Sequence, residues 1–325
     1  MRVKNVLLIS SLILLPLSSL WALSIGSVEI VNVWSYIFDP GKDGNFHQII
    51  WEIRFPRVAM ALLVGAALGV AGALSQAATN NPLADPAIIG TSAGATLGAT
   101  SAIMLNFASI GSLQVIVAAT LGALFITWIS YQLSHSPLQL LVIGIAISAL
   151  VSAVVGLLIT IADRADARSL TFWSSGSLAL TSEQNLSFIA PIIVVTLIAA
   201  ILFASRLDLL ILGDSSVSYL GTNPRHLRGI SFALVALLIG ASVSVVGSIA
   251  FLALAVPHVV RALIGPSNRG VVIGSAILGA LLLLLADTAA RSIAPPHELP
   301  IGLITAMLGA PVLIIILKKS RQVWR

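Results

Sequence analysis

The chain has no cysteine among its 325 residues, so disulfides, thiolate metal sites and a cysteine nucleophile are all excluded. Charge is nearly as scarce. Only 9% of the residues are Asp, Glu, Lys or Arg and 58% are hydrophobic, where a soluble domain carries about 25% charged residues. A soluble globular protein is thereby excluded. The five histidines (His47, His135, His226, His258 and His297) never fall at the spacing that puts two ligands on one helix face, so no dedicated metal site is expected. No G-x-x-x-x-G-K-[ST] phosphate loop occurs, so the chain does not carry that nucleotide-binding motif. The net charge of +5 is spread thinly between apolar segments instead of forming a basic face. That argues against a nucleic-acid partner.

What is present is a succession of apolar runs. A helix crossing a bilayer needs about 20 mainly apolar residues, and 6–26, 57–78, 88–106, 112–132, 139–161, 187–205, 229–250, 270–290 and 299–317 meet or approach that length. The stretch 251–264 is shorter and carries Pro257, which removes a helix hydrogen bond. It reads as a short or broken helix buried among others. If it crosses, both termini share a side with eleven Lys and Arg: Arg2, Lys4, Arg206, Arg225, Arg228, Arg261, Arg269, Lys318, Lys319, Arg321 and Arg325. The other side has six: Lys42, Arg54, Arg57, Arg164, Arg168 and Arg291. The positive-inside rule then makes both termini cytoplasmic. The acids Glu29, Asp39, Asp43, Glu52, Asp163, Asp166, Glu183 and Glu298 fall outside. The expectation is an all-α, multi-pass protein of about ten transmembrane helices, one continuous membrane domain over 1–325. The first run is too long for a signal-peptide core and lacks a clear cleavage site. Trp21, Trp34, Trp51, Trp128, Trp173 and Trp324 lie near span ends, as an interfacial belt would. The runs Gly65-Ala66-Ala67-Leu68-Gly69 and Gly94-Ala95-Thr96-Leu97-Gly98 allow close helix packing in lipid.

Three loops carry more than topology requires. In Asn80-Asn81-Pro82-Leu83-Ala84-Asp85-Pro86 each proline biases the residue before it away from helix, which fixes a reversal. This turn, with Ser134-His135-Ser136-Pro137 on the same face, is a candidate inner gate: Asn80, Asn81, Pro82 and Leu83 against Ser136 and Pro137. In 206–228, Asp214 or Ser215 starts a short helix, Gly221 ends it, and Thr222 or Asn223 caps a second short helix with Pro224 at its first position. Two capped helices meeting at a glycine form a knob suited to docking a partner. The third region joins Gly247-Ser248-Ile249-Ala250-Phe251 to Pro257-His258, and continues to Asp287 and Arg291, which can pair four residues apart on a helix.

These residues resemble a known family, the ten-span permease subunits of ABC importers for ferric siderophores, haem and cobalamin. The resemblance is densest at Trp51-Glu52-Ile53-Arg54-Phe55-Pro56-Arg57, Leu63-Val64-Gly65-Ala66-Ala67-Leu68, Asn81-Pro82-Leu83-Ala84-Asp85-Pro86 with Gly90, Pro257-His258 to Arg261, Leu285-Ala286-Asp287 to Arg291, and Glu298-Leu299-Pro300 to Gly309-Ala310-Pro311. One departure is Ala250-Phe251-Leu252-Ala253-Leu254, where the family commonly has glycine in place of Ala253. The resemblance implies a permease dimer, with identical or paralogous halves and the path between them. It implies two ATP-binding subunits, holding ATP and Mg, that dock on 206–228 through Gly213, Asp214, Leu220, Gly221, Asn223, Pro224, Arg225 and Arg228. It also implies a periplasmic or extracellular substrate-binding protein whose carboxylates meet Arg54, Arg57 and Arg291. Without the resemblance, those arginines read as interfacial or locally paired, Arg54 and Arg57 with Glu52 or headgroups and Arg291 with Asp287.

The chain itself has no cofactor and no catalytic residue in this reading. An ion-coupled transporter would place ionisable groups near the midplane, and an intramembrane hydrolase would need a nucleophile beside His258 or Asp287; the spans offer neither. A path with so few charges suits a bulky chelate and not a naked metal ion. The expected substrate is an iron chelate, a ferric siderophore by family frequency, with haem or cobalamin as alternatives, carried across the cytoplasmic membrane.

Overall fold

The computed structural model describes residues 2–26, 28, 30, 33–39, 45–294 and 298–320, without the side chains of 2–12, 45, 165–166 and 312–320. Glu29, Lys42, Asp43, His297, Arg321, Trp324 and Arg325 lie outside the described residues, as do the side chains of Arg2, Lys4, Asp166, Lys318 and Lys319. The described chain is helical throughout. In order, its elements are α1 (Arg2–Ser24), α2 (Val33–Phe38), α3 (Asn45–Gln48), a π-helical turn (Ile49–Arg54), α4 (Phe55–Thr79), α5 (Thr91–Met104), α6 (Leu113–Leu133) and α7 (Pro137–Ile161). Then come α8 (Arg164–Ser174), α9 (Glu183–Phe203), a 3-10 segment (Ala204–Leu212), α10 (Asp214–Tyr219), α11 (Pro224–Val246), α12 (Leu252–Ile264), α13 (Asn268–Ser292) and α14 (Ile301–Ser320).

Ten of these, α1, α4 to α7, α9 and α11 to α14, are the expected crossings. Among the described residues, six helices are long and apolar enough to span by themselves, and Ile13–Ser24, Leu252–Ile264 and Ile301–Pro311 are shorter apolar stretches. The third crossing is shorter than its apolar run. Its helix α5 has 14 residues, about 21 Å at about 1.5 Å per residue, because the chain from 80 to 90 enters the bundle as turns. Within that entry Ser148 Oγ of α7 donates to the carbonyl of Ala87 at 3.1 Å, and Gly144 lets α7 close on Ile88 and Ile89.

The eighth crossing also differs from expectation. α12 is helical through Pro257, and the break falls before it, at 247–251, where Gly247 and Phe251 both have positive φ, 69° and 66°. Gly247 abuts the carbonyl of Trp173, and Phe251 packs on Gly309 of α14. A short extended piece thus begins the crossing and a 13-residue helix completes it. Trp173 pays the geometric consequence: it is 1% exposed beneath this break, not part of an interfacial belt. Trp21, Trp34 and Trp128 are exposed as a belt requires.

The core is built around α4, which is buried along nearly its whole length. Gly65 meets the backbone at Gly279, Gly69 meets Ser275, and Gly72 meets the carbonyl of Ala253, each so closely that a Cβ has no room. Pro257 leaves that same carbonyl of Ala253 without its intrahelical donor, and the absence of a side chain at Gly72 lets it seat against α4. Gln76 Nε2 adds a hydrogen bond to the Leu254 carbonyl at 3.1 Å. Without a hydrophobic force between helices in lipid, such close contacts supply the association energy. Gly72→Leu should therefore push α12 off α4 and lower stability by at least about 1–3 kcal/mol, seen as a fall in the thermal unfolding midpoint of the purified protein. Gly156→Ala, at a glycine with nothing within 4 Å, should leave that midpoint unchanged.

Candidate functional site

The 206–228 segment forms the expected knob with one correction. α10 starts at Asp214, after Gly213 (φ 85°), and ends in a reversal at Gly221 (φ 74°), where the N–H of Gly221 donates to Ser218 at 3.0 Å and that of Thr222 to Val217 at 3.2 Å. This is the glycine-dependent helix stop that the sequence implied. Asn223 Oδ1 then accepts from the N–H groups of Arg225 and His226 at 2.9 and 3.3 Å, with Pro224 at the first helical position. The second helix is not short. It is the start of α11, 23 residues long, because nothing between Pro224 and Val246 interrupts it.

The knob is apolar at its tip and tied down at its base. Tyr219 is 92% and Leu220 61% exposed, and Ile211 and Leu212 are exposed beside them. Arg228 grips the Asp214 carboxylate with two hydrogen bonds, 2.8 and 2.7 Å, and donates its Nε to the Ala78 carbonyl at the end of α4 at 3.0 Å. Arg225 turns to α6 instead, donating to Gln132 Oε1 at 3.0 Å. Of the eight residues expected on the coupling surface, Leu220 therefore stands at the tip. Asn223, Pro224 and Arg228 build the base.

The two expected gate segments lie at the same end but line different cavities. Asn80, left-handed at φ 49°, closes α4 and donates Nδ2 to the Leu210 carbonyl at 2.8 Å, while Asn81 Oδ1 caps the turn through Leu83 N–H at 2.9 Å. Asn80, Asn81 and Pro82 border a cavity of about 380 Å³ with Ile211, Arg261 and Asn268. Ser136, whose Oγ caps α7 through Gln139 N–H at 3.2 Å, and Pro137 border another of about 320 Å³ with Thr79, Asp214 and Arg228. The structure thus brings the 134–137 loop to the knob and does not bring it against Asn80 to Leu83.

At the opposite end the three arginines that the resemblance assigns to binding-protein docking are buried within this chain. Arg54, Arg57 and Arg291 are 4%, 7% and 5% exposed. Arg57 holds Asp287 with Nη2 at 2.8 Å and Nε at 3.0 Å, and Glu298 with Nη1 at 2.8 Å. Arg291 lies 3.6 Å from Asp287 and donates to the carbonyls of Ala22 and Ile25, and Arg54 donates to those of Leu23, Ser24 and Val28. Two guanidinium groups thus satisfy the last carbonyls of α1 and the turn after it, where the helix dipole is negative. The physical reason for their burial is this supply of unpaired acceptors together with Asp287, itself fully buried. The local pairing of Asp287 with Arg291 was legible from spacing; the closer partner Arg57, 230 residues away, was not.

One feature escaped the sequence reading altogether. Ser92 and Thr96 on α5, Ser148 and Ser152 on α7, and Ser174 and Ser248 border a cavity of about 290 Å³ on the flank of the bundle. The i, i+4 spacing of each pair inside strongly apolar helices was the available signal. Among the described residues, no group of three His, Asp or Glu converges as a metal site.

With this geometry in hand, the comparisons are decisive. A model of the FecCD transport family matches residues 12–319. The chain belongs to the FecCD transport family. It is 39% identical over 96% of its length to HmuU, a hemin transport system permease protein of Yersinia pestis, covering 95% of that protein. It is 36% identical to YfmD, an Fe(3+)-citrate import system permease protein of Bacillus subtilis, over 92% of this chain and 90% of that one. It is 38% identical to BtuC, the vitamin B12 import system permease protein of Vibrio cholerae, over 85% and 84%. A solved metal-chelate type ABC transporter in an inward-facing conformation superposes with a TM-score of 0.87 at 30% identity, covering 97% of this chain and 99% of that one. This FecCD member is therefore a multi-pass ABC importer permease, and its family is one of transport and not of catalysis.

Two expectations follow for it. Asp287→Asn leaves the buried Arg57 with only the partly exposed Glu298 and the buried Arg291 with no carboxylate, and should cost about 3–5 kcal/mol; Glu298→Gln, at a group one third exposed, should cost no more than about 1 kcal/mol. Thermal unfolding of the purified variants separates the two. The second concerns acid. The hydrogen bonds from Arg228 hold the Asp214 carboxyl below its ordinary value, the guanidinium charge adding to them and partial desolvation opposing them. A lowered carboxylate contributes order at every pH above its unfolded value and loses it as pH falls through the folded one. A spin label at Ser216→Cys should stay immobile down through the ordinary carboxylate range and loosen only below it, whereas Asp214→Asn should loosen it at neutral pH.

Proposed function

We propose that this permease carries an iron chelate inward across the cytoplasmic membrane, with the knob end in the cytoplasm and both termini there. Two copies, or this chain and a paralogue, face each other across the hydroxyl-lined flank of α5 and α7. Two ATP-binding subunits hold ATP and Mg and dock on the knob, and a binding protein outside delivers the substrate. The observation that carries this reading is the knob: an apolar tip that water disfavours, on a base tied by Arg228 to the end of α4. An exposed Tyr219 and Leu220 on a rigid, glycine-terminated helix suit a protein groove, and a push on the tip reaches Ala78 and, through Asn80, the 80–83 turn.

The serine and threonine face suits a neutral or charge-delocalised chelate, since the hydroxyls replace some of its water without binding it tightly enough to stop passage. Haem is the second reading for the substrate, favoured by the 39% identity to a hemin permease. Arg54, Arg57 and Arg291 act here as the brace beneath the binding-protein face.

Gly221→Val forces a β-branched residue into a left-handed backbone, with no crowding around the site. In proteoliposomes containing the assembled importer, it should abolish coupling: substrate-stimulated ATP hydrolysis should fall at least about tenfold, the equivalent of about 1.4 kcal/mol, while membrane insertion persists. Unchanged ATPase-subunit binding and stimulation would overturn the docking role of the knob. Uptake measured with a panel of labelled siderophores, haem and cobalamin identifies the chelate.

A further inference from the structure

A groove on the outer flank of the bundle, between α6 and α11 at the knob end, plays no part in the transport reading. It encloses about 550 Å³ between Leu121, Phe125 and Trp128 of α6 and Gly229, Ala233 and Ala236 of α11, and its walls are almost wholly apolar. At the knob end it runs into a second hollow of about 430 Å³ that shares Tyr131, Gly229 and Ala233 and opens onto Arg225 and His226. Leu121, Phe125 and Trp128 are all more than half exposed, so the groove lies on a surface that faces the bilayer.

We propose that this groove binds an anionic glycerophospholipid of the knob-side leaflet, one acyl chain lying along α11 and the phosphate resting on Arg225. The length fits. From Arg225 to Ala236 is about 16 Å of helix at about 1.5 Å per residue, which is half of a hydrocarbon layer about 30 Å thick. The charge fits as well. Among the described residues the guanidinium groups of Arg57 and Arg228 meet carboxylates, whereas Arg225 has none within ion-pair distance. Its recorded partners are neutral: Gln132 Oε1 at 3.0 Å and the face of Tyr131, 5.8 Å from the ring centre. Arg225 is exposed, its backbone carbonyl accepts a hydrogen bond from the Tyr131 hydroxyl, and its guanidinium is steadied by Gln132. The groove is thus formed before any ligand enters, with its positive charge at the level of the headgroups. An acyl chain matches an apolar groove that ends at an unpaired cation, whereas a second copy of the chain would have to bring a carboxylate to Arg225.

Native mass spectrometry of the full-length permease in mild detergent tests this with added phosphatidylglycerol and phosphatidylcholine of matched acyl chains. Phosphatidylglycerol should be retained about fivefold more, the factor that one basic side chain supplies against an anionic surface. Arg225→Gln should bring the ratio near one, and Ala233→Phe, at an exposed position that fills the groove, should reduce retention of both lipids. The same ratio in Arg225→Gln and the unaltered protein overturns the proposal whether or not the filled variant folds. A thiol at Ala233→Cys, the only one in the chain, should form no disulfide to a second copy under oxidation in membranes; such a cross-link would make the groove a protein interface and overturn the lipid assignment.

Discussion

The contact on which the rest of the structure depends is the seam of α4 against α13 and α12, where Gly65, Gly69 and Gly72 bring backbone onto backbone. In lipid no hydrophobic force drives helices together, so the fold relies on contacts that only small residues allow. Because α4 is buried almost end to end, everything attached to its two ends inherits its position. At one end Arg57 fixes it to Asp287 and Glu298; at the other the Ala78 carbonyl accepts from Arg228 and Asn80 donates to the Leu210 carbonyl. One rigid rod therefore joins a buried ionic clamp to an exposed knob about 38 Å away, taking the 25 residues of α4 at about 1.5 Å each.

The two ends have opposite characters. At the clamp, charged groups are out of water and over-determined: Asp287 is gripped by Arg57 and approached by Arg291, and the guanidinium groups of Arg54 and Arg291 satisfy the carbonyls that end α1. Moving any of them strands a buried charge or a helix terminus, so that end resists rearrangement. At the knob, the ion pair of Arg228 and Asp214 is solvated on one side and the neighbouring contacts are single hydrogen bonds. Such contacts are individually worth about 1 kcal/mol and can be exchanged. Movement driven from outside the chain would thus enter where the structure is compliant and pivot where it is stiff.

The number of crossings and the knob were legible in the sequence because their signals are local: apolar length, loop charge, and the capping residues Gly221, Asn223 and Pro224. The length of α5 was not, because Thr91 to Met104 and the turns before it share one apolar run, and only the docking of 87–90 on α7 shows where the helix begins. Pro257 misled for a related reason. Its lost hydrogen bond is real, but packing against Gly72 keeps α12 helical, and the break moves to Gly247 and Phe251. The arginines show the limit most clearly: the residue types suggested charge at a surface, whereas their partners, Asp287 for Arg57 and the α1 carbonyls for Arg54, are 230 and about 30 residues distant.

The distribution of polar groups follows from a single physical demand. A translocating chelate must be wetted enough to enter and held weakly enough to leave, and a charge at membrane depth would fail on both counts, since desolvating it is costly and pairing it with the substrate is too strong. Ser92, Thr96, Ser148 and Ser152 put only neutral hydroxyls on this flank: Thr96 donates to the carbonyl of Ser92 within α5, and Ser148 of α7 donates to that of Ala87 in the turn before α5. The scarcity of charge that first marked the sequence therefore leaves hydroxyls as the polar groups of this flank, with the ion pairs of Arg57 and Arg228 placed at the two ends of α4.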